Sequence, residues 1–247
     1  MKSRLILSIA IIALTGIAGD AQTGTRSMTG SDFATGWTDV TAPLDMVTTP
    51  VYPGDTRLKF EFLKSFPNGD KLTLSSYLMT AHAGTHVDAP LHFVAKGASI
   101  DQVSLRTLMG RALVIDCSPS AVAIDAAELN KHNWRGAKRI LFRTRNSRNS
   151  WMVDPNFHED FTYIAPDAAQ LMADSGVELV GIDYLSAEKF GAPQARTHQI
   201  LLGQDIPIVE GLDLRKIEGG EYDYIILPLK VAGHEAAPAR ALLRPIQ

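Results

Sequence analysis

Apolar residues along the chain fall into short runs rather than long helical stripes. Residues 112–115 (Ala-Leu-Val-Ile), 140–142 (Ile-Leu-Phe), 179–182 (Leu-Val-Gly-Ile) and 224–227 (Tyr-Ile-Ile-Leu) are too short for helices and rich in branched and aromatic side chains, so they predict buried strands. In residues 72–79, Leu72, Leu74, Ser76 and Leu78 alternate with Thr73, Ser75, Tyr77 and Met79, which predicts a strand delivering the chain into the segment that follows. Two helices stand out between these runs. Asp125 with Glu128 three residues on is a capping-box pattern opening a helix toward His132, and Pro166 opens another that Gly176 stops. Residues 49–56, with Pro50, Pro53 and Gly54, predict a kinked loop, and the Arg, Asn and Ser of residues 143–151 predict a solvated one. Helices set among many strands predict an α/β fold, a single domain with a mixed β-sheet core and flanking helices.

The start of the chain has a different pattern. Lys2 and Arg4 precede an apolar run over residues 5–18, followed by Gly19, Asp20 and Ala21. A basic region, an apolar region and small residues predict a signal peptide over residues 1–21 and a periplasmic or secreted protein. The run is too short to span a bilayer comfortably, so no stable membrane insertion is expected, and translation from Met28 would leave the protein cytoplasmic. Residues 22–36, rich in Ser, Thr and Gly, predict a flexible lead-in, with the folded domain over residues 37–247.

Composition narrows the chemistry. At 247 residues, 45% hydrophobic and a formal charge of −3, the chain can bury a full core and carries no basic patch for nucleic acid. Its single cysteine, Cys117, excludes an internal disulfide and a Cys-rich zinc site, so a bound metal must be held by His and carboxylate. Cys117 itself follows an apolar run and reads as a buried small hydrophobe.

Residues 82–92 concentrate that chemistry, with His82, His86, Asp88 and His92 in eleven positions. On a strand all four would share a face, yet four residues of strand span about 13 Å, too far for two imidazoles to meet one ion. The chain must bend between His82 and His86, and Gly84 permits it. Gly84, Thr85, Val87 and Pro90 argue against a helix, which leaves a strand, a glycine bend and a short loop. A metal site is one reading; a tight turn whose histidines and aspartate are satisfied by hydrogen bonds is the other. Pro90, with its fixed φ, is expected to carry His92 away from the first ligand group, beside the metals rather than on them.

The pattern His82-x-Gly84-Thr85-His86-x-Asp88-x-Pro90-x-His92 resembles the signature of the metal-dependent cyclase family, which includes bacterial kynurenine formamidases and isatin hydrolases. The likeness continues through residues 49–55, 180–183, 209–214, 227–230 and 237–240. It implies that His82, His86 and Asp88 hold one ion and that Asp88, His198 and Glu210 hold a second, with Asp88 bridging. A set of imidazoles and carboxylates without thiolate suits Zn2+ and also Mn2+.

The resemblance further implies a metal-dependent amide hydrolase, arylformamidase-like, converting N-formylkynurenine to kynurenine and formate. An isatin hydrolase-like opening of a cyclic amide is the alternative. His92 is then the proton shuttle, or otherwise a further ligand or a packing residue. Tyr52 and Phe93 face the aryl substrate; a Tyr packed on the core is the plain alternative for Tyr52. His132 and His158 lie outside the motif and read as surface or structural, and Asp183 as a structural hydrogen-bond acceptor. The family further implies a homodimer or higher homo-oligomer. The rival from another class is a non-catalytic periplasmic metal-binding protein, which would need the ligands but not His92, Tyr52 or Phe93.

Overall fold

The computed structural model describes residues 36–246; the expected signal peptide, and all but the last residue of the lead-in, lie outside the described residues. In chain order the strands are β1 (Thr38–Asp39), β2 (Lys59–Lys64), β3 (Leu74–Leu78), β4 (His86–Asp88), β5 (Met109–Asp116), β6 (Ala123–Ile124), β7 (Arg139–Arg143), β8 (Tyr163–Ile164), β9 (Leu179–Ile182), β10 (Ile208–Glu210), β11 (Gly220–Pro228) and β12 (Ala236–Pro245). The α-helices are α1 (Leu105–Leu108), α2 (Ala126–Leu129), α3 (Arg145–Arg148), α4 (Pro166–Asp174) and α5 (Arg196–Gly203).

Eight strands form one mixed sheet in the order β1-β12-β11-β5-β7-β9-β10-β4, and β4 also pairs with β12, so the sheet closes on itself. The pairs β5/β7, β7/β9 and β9/β10 are parallel; β10/β4, β4/β12, β12/β11 and β11/β5 are antiparallel. Closure joins β4 to β12 and holds β4, only three residues long, between two neighbours, while the two-residue β1 pairs with β12 alone.

The apolar runs at residues 112–115, 140–142 and 179–182 are strands covered on both faces of the sheet, whereas residues 224–227, expected to be buried throughout, lie in β11 with only Tyr224 and Ile226 of that run buried and Leu227 exposed. Leu141, Leu179, Val114 and Ile226 point into one cluster with Val87, Val209 and Ala237. Ile140, Phe142, Val180 and Ile182 point the other way, against Ala168, Ala169 and Met172 of α4 and Leu201 and Leu202 of α5. Burial on both faces erases the polar alternation of a half-exposed strand. At roughly 1.5–3 kcal/mol for each fully buried large aliphatic side chain, these two layers dominate the stability of the fold.

Four local expectations need correction. The strand expected over residues 72–79 forms as β3, but it pairs only with β2 in a hairpin whose β3 residues are all exposed, and the strand that enters the sheet is β4, after the glycine bend. The loop expected over residues 143–151 contains the one-turn α3, capped by Thr144 and with Asn146 and Ser147 buried. The helix opened by Asp125 stops at Leu129. The Asp125 carboxylate accepts from Glu128 N at 2.7 Å, while the Glu128 carboxylate is drawn away to Ser118 N at 2.7 Å and Lys131 Nζ at 2.5 Å. The stretch Leu201-Leu202-Gly203, which reads from the sequence as an apolar turn between His198 and Glu210, is instead the last part of α5.

Candidate metal centre

The bend expected at Gly84 has φ +61, and the chain then enters β4, which buries His86 and Asp88 completely. In register, Glu210 lies opposite His86 and Val209 opposite Val87, so the valines turn to the core while His86, Asp88 and Glu210 share the other face. Thr85 locks this pairing. Its hydroxyl donates to Gly211 O at 2.6 Å and accepts from Ala42 N at 2.8 Å. Gly211, at φ +69, permits the approach: a Cβ there would lie 2.2 Å from Gly84 O.

All the motif side chains meet around Asp88. His82 Nδ1 is 2.9 Å and His86 Nε2 3.4 Å from Asp88 Oδ1; His198 Nε2 is 3.7 Å and His92 Nε2 3.9 Å from Asp88 Oδ2. Glu210 joins through Oε2, 3.4 Å from His86 Nε2, and Oε1, 3.2 Å from His198 Nε2. Two ligand groups have donor atoms within 4.8 Å of one another: His82, Asp88 and His92, and His86, Asp88 and Glu210.

That grouping departs from the expected one, which joined His82 with His86 and left His92 aside. Pro90 does not carry His92 away. It opens a 3-10 turn over Pro90–His92 that folds the imidazole back, to a ring-centroid distance of 4.3 Å from His82.

The electrostatics favour positive charge at the centre. Burial alone would push His86 and His198 down, but the carboxylates they face outweigh it. Asp88 and Glu210 hold His86 up to about 10, and Glu188, Glu210 and Asp88 do the same for His198. Burial would raise Asp88, and the imidazoles of His82 and His86 hold it well below the usual carboxylate range. His92 goes the other way, lowered chiefly by burial, so it is a neutral base at neutral pH.

The donor set fits a divalent cation. Four imidazoles and two carboxylates converge without thiolate, and His86 Nε2 and both oxygens of Asp88 are buried with no hydrogen-bond partner among the described residues. Each unsatisfied buried polar atom costs about 1–3 kcal/mol, and a cation held among them removes that cost.

A cavity of about 440 Å³ opens onto the centre, with His82, His92, His198 and Glu210 in its lining. Tyr52 and Phe93 also line it. Tyr52 meets Phe157 edge-on at 5.2 Å and Phe190 at 5.8 Å, while Phe93 stacks on His198 at 4.8 Å.

The remaining candidates lie elsewhere. His158 stacks on Trp151 at 4.4 Å and pairs with Asp154, and His132 lies 3.7 Å from Glu128. Asp183 is buried and accepts from Thr144 N, Thr144 Oγ1, Asn146 Nδ2 and Ser147 N, which ties α3 to the end of β9. Cys117 is buried among apolar side chains. Sequence reasoning missed Ser186, Glu188 and Lys189, which line the cavity from the loop after β9. The available signal was the rule that α/β folds place functional groups beyond the carboxyl ends of strands, which points past Asp183 to this loop.

The cyclase family model matches residues 38–189. A kynurenine formamidase from Salinibacter ruber is 34% identical over 197 residues, spanning 79% of this chain and 92% of that protein. The kynurenine formamidase of Bacillus anthracis is 30% identical over 212 residues, 85% of this chain and 98% of that protein. A solved structure described as a potential metal-dependent hydrolase with cyclase activity matches at TM-score 0.73 and 33% identity, over 84% of this chain and 96% of that one. Isatin hydrolase A from Labrenzia aggregata shares the fold, at TM-score 0.72 and 19% identity over 85% of this chain and 94% of that one. With the family model covering more than half of its length and near-full-length relatives at 30% identity or above, this chain belongs to the cyclase family of metal-dependent amide hydrolases.

Proposed function

We propose that the protein is an arylformamidase-like hydrolase that cleaves N-formylkynurenine to kynurenine and formate. The observation that carries this reading is the convergence of His82, His86, Asp88, His198 and Glu210 at the end of an aromatic-walled cavity, supported by the kynurenine formamidase relative at 34% identity. The five residues would hold zinc, with manganese as the second candidate. Asp88, whose two oxygens face different imidazoles, suits a bridging role between two ions.

A bound divalent cation supplies a Lewis acid that acidifies a water and polarises a carbonyl. The chain's own residues supply the rest. His92, kept neutral by burial and facing the centre, accepts a proton from the attacking water at Nε2 and returns it to the departing aryl amine. Tyr52 and Phe93 wall the cavity and hold the aryl ring, leaving the small formyl carbon toward the ligands.

Opening of a cyclic aryl amide such as isatin would use the same groups and is the runner-up; the isatin hydrolase likeness is one of fold alone. Incubating purified protein with N-formylkynurenine and with isatin, and following each by absorbance, tests the choice. Loss of the first alone supports the formamidase reading. Loss of neither with metal bound supports the non-catalytic metal-binding protein.

The proposal extends to location and assembly. The leader in residues 1–21 motivates export, which detection of uncut residues 1–21 on protein from the native host would oppose. Among the described residues no helix is long and apolar enough to cross a membrane. A homodimer is supported by the β2/β3 hairpin, where Phe62, Leu63, Tyr77 and Leu78 are exposed on an element that is marginal by itself in water.

A further inference from the structure

An imidazole ligand points one nitrogen at the metal, and whatever accepts from the other nitrogen fixes the ring's tautomer and tilt. His86 settles this within its own loop, since Nδ1 donates to Gly84 O at 2.9 Å and Nε2 faces the centre. His198 lacks such an acceptor in its own helix. Its Nε2 faces Glu210 and Asp88, and its buried Nδ1 has no hydrogen-bond partner among the described residues and lies 3.7 Å from Glu188 Oε2.

Glu188 is also what starts the helix that carries His198. The N-cap position of α5 is Ala195, which has no side-chain acceptor. Glu188 Oε2 fills that place from upstream, accepting from Thr197 N at 2.8 Å and His198 N at 3.5 Å. Its own backbone is pinned by a bond from Glu188 N to Ser186 Oγ at 3.1 Å. Glu188 is only 9% exposed, so its carboxylate needs this compensation; the backbone amides at the helix N-terminus provide it, with the His198 imidazole facing it at 3.7 Å.

We propose that Glu188 is a positioning residue for metal binding: it holds the first turn of α5 and the Nδ1 side of His198, so that Nε2 is presented to the ion beside Glu210 and Asp88. This rests on the reading that His198 is a metal ligand.

The test is titration of metal-free protein with Zn2+ alone, by calorimetry, for wild type, Glu188→Ala, Glu188→Gln and the near-isosteric Thr197→Val. The last removes the Thr197 Oγ1 bond to Ile164 O, and so loosens α5 without touching Glu188. Thermal midpoints of the metal-free forms are read alongside. Loss of zinc affinity of about 10- to 100-fold in Glu188→Ala is expected, with a smaller loss in Glu188→Gln, whose amide oxygen can still accept from the same backbone amides. Thr197→Val should melt lower yet bind within about threefold of wild type, the margin we allow for an indirect effect. Wild-type affinity in Glu188→Ala would overturn the inference, as would an equal loss in Thr197→Val at a matched drop in midpoint. Failure of wild type itself to bind zinc would instead refute the metal-ligand reading beneath it.

Discussion

Gly211→Ala is the sharpest test of how the centre is assembled, because the strain can be worked out from the backbone. The residue has φ +69, and a Cβ would sit 2.2 Å from Gly84 O and 2.7 Å from Gly84 C. Left-handed backbone costs a residue with a Cβ about 1–2 kcal/mol. The contact is with main chain on both sides and cannot be relieved by a rotamer change. The loop before His86 and the turn after Glu210 must therefore separate by roughly 1 Å, judged against an ordinary contact near 3.5 Å. Separation also stretches the buried bond from Thr85 Oγ1 to Gly211 O, worth about 0.5–1.5 kcal/mol. The sum is about 1.5–3.5 kcal/mol, which for a domain of this size lowers the thermal midpoint by roughly 3–14 °C. Glu210 and His86 move apart together with the loops, so zinc affinity should fall as well. Thermal unfolding of the metal-free protein and zinc titration at a temperature where the variant is folded read the two effects separately. A midpoint within 2 °C of wild type, or a lower midpoint with unchanged zinc affinity, would refute the argument that this backbone contact sets the site.

The other predictions use different handles. His92→Ala should lose about 10²- to 10⁴-fold in turnover while elemental analysis finds its metal retained, whereas Asp88→Ala should lose both; His92→Ala purified without metal would make His92 a ligand. Chelator treatment should abolish hydrolysis and zinc or manganese should restore it, with full activity in verified metal-free protein the refuting result. In the metal-free protein His86 and His198 are raised from 6.5 to about 10, so their contribution to stability is fully present below pH 6.5 and is lost as pH rises toward 10. Denaturant midpoints should fall across that window without metal and stay level with it; an equal fall in both forms would sink this reading. Phe142→Ala, which empties a fully buried position between β7 and the α4/α5 layer, should cost about 3–5 kcal/mol in chemical unfolding, and a cost under 1 kcal/mol would contradict the packing described.

What could be read from the sequence follows from where each signal is stored. The runs at residues 140–142 and 179–182 announce strands because burial on both faces makes them apolar throughout, and Gly84 announces a bend because two histidines four apart need one. β12 is harder to see, since Pro238 interrupts it and proline is usually confined to edges and ends, as Pro245 is at its close; here Pro238 lies where the ladder with β4 finishes. α5 hid because only part of its surface is apolar, its core side carried by Leu201 and Leu202. The direction taken by His92 depended on whether Pro90 opened a turn or extended the chain, and proline's φ suits both. His198 and Glu210 were found by resemblance alone, because a separation of twelve residues encodes no geometry until β10 pairs with β4. That pairing is also why Glu188 left no trace. The loop after β9, the helix that follows and the return along β10 must all be in place before its carboxylate reaches Thr197 N, and Ala187 N, one residue earlier, donates to Glu210 Oε1 at 2.5 Å. The ligands on β4 and in the bend before it are local and visible within residues 82–92. Those from α5 and β10 exist only as a product of sheet closure, and a change that weakens closure should therefore release metal before it unfolds the chain.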